Sequence, residues 1–152
     1  MRKSFKLLSI FIVVELILQG AWEYAVCGVF YTMEGLGFIE HQLLMISATI
    51  GDVFIGLGLF IVLAYVNKNI NWLLDTWERK DYVIIILYSI LIAFYFEAHA
   101  LHIDRWGYKE IMPLFPGTSL ALLPVIQLII LIPLGLFLTK KIYKYKFKNS
   151  ND

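Results

Sequence analysis

The sequence predicts an all-α integral membrane protein, a four-helix bundle in a single transmembrane domain over residues 1–152, with both termini on the cytoplasmic side. Three observations carry this. The chain is 60% hydrophobic with a mean hydropathy of +0.74, where a soluble domain is about 45–50% apolar. Four stretches (7–30, 43–66, 82–101 and 119–138) each supply the roughly 20 mostly apolar residues that cross a hydrocarbon core of about 30 Å. No lysine or arginine falls inside any of them.

The first stretch has a basic start, and Tyr24-Ala25-Val26-Cys27 resembles a lipoprotein cleavage box. Glu15 and Glu23 within the stretch, and valine before the cysteine, favour a retained span. Ahead of the second, His41 beside Glu40 reads as a solvated loop residue. Asp81 is placed to cap the third helix, and Gly117-Thr118-Ser119 to open the fourth. Met112-Pro113 and Pro116 keep the preceding segment extended or turned. Trp22, Trp72, Trp77, Tyr82, Trp106 and Tyr108 gather near the span boundaries, as an interfacial belt requires.

Orientation follows from the cations. Arg2, Lys3, Lys6, Lys68, Arg79, Lys80, Lys140, Lys141, Lys144, Lys146 and Lys148 lie on the N-terminal arm, the middle connection and the C-terminal tail; the other two connections hold Arg105 and Lys109. The positive-inside rule places the arm, the 67–81 connection and the tail in the cytoplasm, and the expected location is the bacterial inner membrane. A bias this large also argues against a dual-topology transporter. The basic tail satisfies the inside rule and is available to anionic lipid. A net charge of +1 gives no bulk basic field of the kind nucleic acid recognises. Cys27 is the one cysteine, so no internal disulfide forms.

The most informative feature is acid within the spans: Glu15, Glu23, Asp52 and Glu97. A charged group at bilayer depth costs at least about 2.5–3.5 kcal/mol on insertion scales. Such side chains must face the bundle or a wet cavity, and are protonated, hold a cation or pair with a histidine. Glu15, Gln19, Glu23 and Cys27 recur every four residues, one stripe on the first helix. Ala48, Asp52 and Gly56 share a face of the second, with small residues that let a neighbour approach. Ser89, Ala93 and Glu97 do so on the third, with Tyr95, His99 and His102 on an adjacent strip. On the fourth, Gln127 follows Pro124 by one turn, placed to satisfy a carbonyl that the proline frees.

Depth brings Glu23, Asp52, Glu97 and Gln127 to one level in the outer half of the bilayer, beneath a loop carrying Trp106 and Tyr108; Glu15 lies further in. The expected site is a pocket open toward the outer face or outer leaflet, with Glu97, Asp52 and Glu23 as its acid/base groups. Trp22, His99, Trp106, Tyr108 and Gln127 are the expected substrate-binding residues. Against this stands plain helix glue, at about 0.6 kcal/mol per interhelical hydrogen bond, the natural reading of Gln19, Gln127 and Ser89. His99 and His102 at i and i+3, with Asp104 or Glu97, are weak metal candidates, and Cys27 reads as packing. Gly51-Asp52 resembles half of an intramembrane aspartyl protease motif, but Thr49 replaces its first glycine and the partner Tyr-Asp is missing.

Trp22-Glu23, Gly51-Asp52, Glu97, Arg105-Trp106-x-Tyr108-x-x-x-Met112-Pro113, Leu123-Pro124-x-x-Gln127 and Pro133 together resemble an uncharacterised family of small four-span bacterial integral membrane proteins. The likeness runs from about residue 21 to 138, and the Trp-x-Tyr-x-x-x-Met-Pro stretch is its most specific part. The chain departs from that pattern at Cys27-Gly28-Val29-Phe30-Tyr31, where a Pro-Leu-Tyr run is expected, and lacks a histidine shortly before Gly51-Asp52. The resemblance implies architecture and supplies no reaction.

Three functions fit these residues. One is an enzyme on a lipid-phase substrate, an isoprenoid or another lipid, with Glu97 and Asp52 as proton donor and acceptor, Glu23 as electrostatic partner and His99 or Tyr108 as relay. The second is a transporter of protons, metal or an organic cation, with the prolines of the fourth helix as hinge; at this size it needs a homo-oligomer. The third is a non-catalytic accessory subunit. The sequence identifies no cofactor.

Overall fold

The computed structural model describes residues 2–32, 35 and 37–148; the side chains of Arg2 and Lys148, two of the orienting cations, lie outside the described residues. Four helices dominate: α1 (Arg2–Phe30), α2 (Phe38–Val66), α3 (Arg79–His102) and α4 (Leu123–Lys148). Each is long and apolar enough to cross a membrane. Their outward faces carry Val13, Ile17, Phe54, Ile61, Leu91 and Ile130, all exposed. Apolar surface on every side, over an interior containing acids and amides, inverts the pattern of a water-soluble bundle.

The helix starts differ from those expected. α2 begins at Phe38 because Gly37 is its cap and Glu40, three residues on, takes the Gly37 N–H at 3.0 Å. His41 therefore sits half-buried in the first turn and is not a solvated loop residue. α3 is capped by Glu78, and Asp81 is the third helical residue. Its carboxylate accepts the Glu78 N–H at 2.8 Å and the Asn67 amide at 2.7 Å, fastening both ends of the middle connection. Gly117-Thr118-Ser119 does not open α4. Residues 113–122 fold back on themselves, with Phe115 N–H donating to Leu120 O and Leu122 N–H to Pro113 O, each at 2.8 Å. Pro124 consequently lies in the first turn of α4, where an absent N–H leaves no helix bond unmade. It frees no interior carbonyl for Gln127.

The helices run antiparallel. At one end Ser4 donates to Asn71 at 3.1 Å, Lys6 lies 4.3 Å from the Phe147 ring centre, and Lys140 donates to the Asp75 carbonyl. The arm, middle connection and tail thus share one end. At the other, Tyr31–Thr32 (β1) pairs antiparallel with Gly107–Tyr108 (β2), a ribbon the sequence did not announce. A Cβ on Gly107 would lie 2.7 Å from the Thr32 hydroxyl, so the pairing needs glycine there. Lys109 anchors the ribbon by donating to the Gly28 carbonyl at 2.8 Å, at the negative end of the α1 dipole.

Around the bundle the order is α2, α1, α4, α3, with broad α1–α4, α1–α2 and α3–α4 contacts and a sparse α2–α3 edge. A large apolar core containing Phe11, Leu59, Leu63, Trp72, Ile132 and Leu136 fills the basic end. A smaller one, Cys27, Tyr31, Met45, Met112 and Ala121, lies under the ribbon.

A candidate site walled by three carboxyls

Between the two cores lies a polar layer. The four-residue stripe on α1 is realised: Glu15, Gln19, Glu23 and Cys27 are all buried. The Gln127 side-chain nitrogen, from α4, reaches Asp52 at 2.8 Å, Glu23 at 3.0 Å and Gln19 at 3.0 Å. Gln19 in turn donates to Glu15 at 2.9 Å, and the Cys27 thiol donates to Glu23 at 3.0 Å. One amide thus gathers three helices. Gln127 is a bridge between acid side chains.

Glu97 approaches from α3 and is 4% exposed. Its Oε1 accepts both the Trp106 indole N–H at 3.2 Å and the Tyr108 hydroxyl; among the described residues its Oε2 accepts nothing and is not sealed from the adjoining space. Tyr108 is held in turn by the Ala121 N–H at 3.2 Å. Tyr31 packs edge-on against Trp106 and Tyr108, with ring centres 6.0 and 5.7 Å apart. Burial first, then the nearby Glu97 charge, pushes the Tyr31 phenol well above its ordinary range; burial first, then the bond to Glu97, does the same for Tyr108. Both remain proton-bearing at neutral pH.

Glu23, Asp52 and Glu97 line one cavity of about 570 Å³, with Cys27, Tyr31, Trp106 and Gln127 and a mainly apolar remainder. It lies along the sparse α2–α3 edge. Toward the basic end this edge is shut by Tyr88, whose hydroxyl donates to the Ile55 carbonyl at 3.0 Å and occupies the space a side chain at Gly58 would need. Toward the ribbon it is bridged by Arg105, whose guanidinium donates to Ser47 at 2.9 Å. Arg105 is therefore a rim cation, bonded to a hydroxyl and not to any of the acids.

Other expected site residues fall elsewhere. His99 is exposed and stacks on Tyr95; it follows Glu97 by two residues, about 200° around the helix, and so faces away. His102 is exposed too, and no group of three or more metal-ligating His, Cys, Asp or Glu side chains occurs among the described residues. Trp22 is half-buried and does not line the cavity, and Tyr108 stands behind Glu97 without lining it. Glu15 is fully buried below the cavity; among the described residues its Oε1 has no partner, and it lies against Gly135, where any Cβ would overlap it. Sequence reasoning missed Tyr31, which lies just past the end of the first span; Cys27, read as packing, lies in the smaller core and also donates to Glu23. Compared with known proteins, the chain matches no family model, no curated protein and no solved structure.

Proposed function

We propose that the chain is an integral protein of a bacterial cytoplasmic membrane, with both termini and the middle connection inside, and an acid/base enzyme acting on a substrate dissolved in the lipid phase, an isoprenoid or another lipid. The orientation rests on the basic end described above. Architecturally this agrees with the family of small four-span bacterial membrane proteins that the sequence resembles.

One observation carries the chemical reading: three carboxyls from three helices meet at one largely apolar cavity, with no lysine or arginine bonded to any of them among the described residues. Glu97 is the proton donor. Both hydrogens it accepts arrive at Oε1, so an acid proton on this group sits on Oε2, facing the cavity. Tyr108 is its relay, and the exposure of His99 removes the alternative. Asp52 and Glu23, steered by the Gln127 amide, stabilise positive charge developing on the substrate or take a proton back. Expression of the wild type in a host membrane should change one extractable lipid species by mass spectrometry, and folded Glu97→Gln should not; equal lipid profiles with and without the wild type would remove this reading.

A second reading, transport of protons or an organic cation, is favoured by the Glu15–Gln19–Gln127 chain, which continues the polar layer past the cavity toward the basic end. Flux into liposomes that Asp52→Asn abolishes would favour it over the enzyme.

A further inference from the structure

We infer that the cavity is entered sideways, between α2 and α3, by an amphiphile with an amine head, which takes the acid proton from Oε2 of Glu97 and docks as an ammonium on that oxygen and the Asp52–Glu23 pair. This rests on the reading of the cavity as a lipid-phase site and adds to it the route and the charge of the occupant.

The route comes from the wall. The α1–α2, α1–α4 and α3–α4 seams are closely packed; the α2–α3 edge is sparse over the stretch between the Arg105–Ser47 bridge and the Tyr88–Ile55 bond. The residues bordering it, Gly51, Phe54 and Phe96, are exposed on the apolar exterior and line the cavity at the same time. A Cβ at Gly51 would meet nothing within 4 Å, so the gap extends to the backbone of α2. A ligand arriving here comes from hydrocarbon and must carry an apolar body.

The head is set by charge and by hydrogen-bond supply. The donors around the acids are largely committed: Trp106 and Tyr108 to Oε1 of Glu97, Gln127 to Asp52, Glu23 and Gln19, Cys27 to Glu23; the Tyr31 hydroxyl and the Arg105 guanidinium also line the cavity. Beside them stands an acceptor with no donor among the described residues, the Oε2 of a carboxyl more than nine-tenths buried. An ammonium group supplies three donors and a positive charge to such a site. A carboxylate or phosphate head would face three acids. Arg105, the one cation among the described residues that line the cavity, donates to Ser47 at the ribbon end of the gap and is outnumbered by the three carboxyls.

The test is equilibrium binding of radiolabelled oleylamine to the protein in lipid nanodiscs, against empty nanodiscs, with unlabelled oleylamine, oleyl alcohol and oleate as competitors. Expected is saturable binding of one oleylamine per chain, displaced by oleylamine and by neither of the others. Gly51→Trp, which fills the gap from an open position, should weaken it by about tenfold or more. Glu97→Gln should weaken it similarly while keeping the wild-type circular dichroism and gel-filtration profile; if Glu97→Gln misfolds, Asp52→Asn replaces it with the same expectation. No saturable binding, or displacement by oleyl alcohol as strong as by oleylamine, overturns the amine head. Binding left unchanged by Gly51→Trp overturns the lateral route. Either failure leaves the acid/base reading standing, since that falls only on the lipid-profile comparison.

Discussion

The carboxylate of Asp52 and the amide of Gln127 meet at 2.8 Å across the bundle, and the same amide nitrogen serves Glu23 at 3.0 Å. Two acids from different helices are thereby held by one neutral donor. Its loss should be felt by both. Gln127→Leu leaves Asp52 with no donor among the described residues and Glu23 with the Cys27 thiol alone, and is expected to destabilise the fold by about 2–3 kcal/mol, at the upper end for an orphaned buried polar group. Adding Asp52→Asn supplies a new amide beside Glu23 and should recover part of the loss. Thermal unfolding in detergent measures both, and an unaltered midpoint for Gln127→Leu would contradict the bridge.

Gly135 and Glu15 form a second tight relationship. A Cβ at 135 would overlap the buried Glu15 carboxyl, so Gly135→Ala should cost about 1–3 kcal/mol through overpacking. In a Glu15→Ala background the same change should cost less than about 1 kcal/mol, because the clash partner is gone. Equal costs in the two backgrounds would show that the carboxyl does not lie there.

Gly58 gives a parallel test at the inner edge of the gap. The Tyr88 hydroxyl would stand 2.5 Å from a Cβ on Gly58. Gly58→Ala should therefore be destabilising by about 1–3 kcal/mol, and Tyr88→Phe, which removes that oxygen, should relieve most of the penalty. Tyr88→Phe alone loses its bond to Ile55, worth about 1 kcal/mol.

The tyrosines beside Glu97 make a prediction in pH. Both phenols are raised above the ordinary value of 10.0. A raised folded-state value means that the stability they contribute is whole below pH 10.0 and is lost as pH climbs through their own, higher ionisations. In an alkaline absorbance titration the wild type should show the same phenolate signal as Tyr31→Phe/Tyr108→Phe through pH 10.0, diverging only above it. Divergence below that point would place both rings in water.

Much of this was legible in the residues. Apolar runs located the four helices, and four-residue spacing identified the buried faces of α1 and α3 correctly, because acids and amides at those positions have nowhere else to go. Illegible were features set by chain reversal. The ribbon of Tyr31–Thr32 and Gly107–Tyr108 is too short to leave a periodic signal. The backbone bonds of residues 113–122 delay α4 until Leu123, and this moves Pro124 from a helix-breaking position to a helix-opening one. His99 was assigned by depth alone, and depth does not report the direction in which a side chain points. The same applies to Trp22. The gap between α2 and α3 left no mark beyond the small residues Ala48 and Gly51, which read equally well as packing positions.

The bundle order has a consequence for how the molecule is made. A ribosome delivers α1 first and α4 last, yet these two helices share a broad contact and a polar bridge. Gln19 and Glu23 must therefore wait through the synthesis of two further helices before Gln127 emerges to meet them. In a bilayer, that interval leaves Glu15, Gln19 and Glu23 with only the bonds they make within α1, and chains truncated before α4 should be the ones that membrane quality control removes.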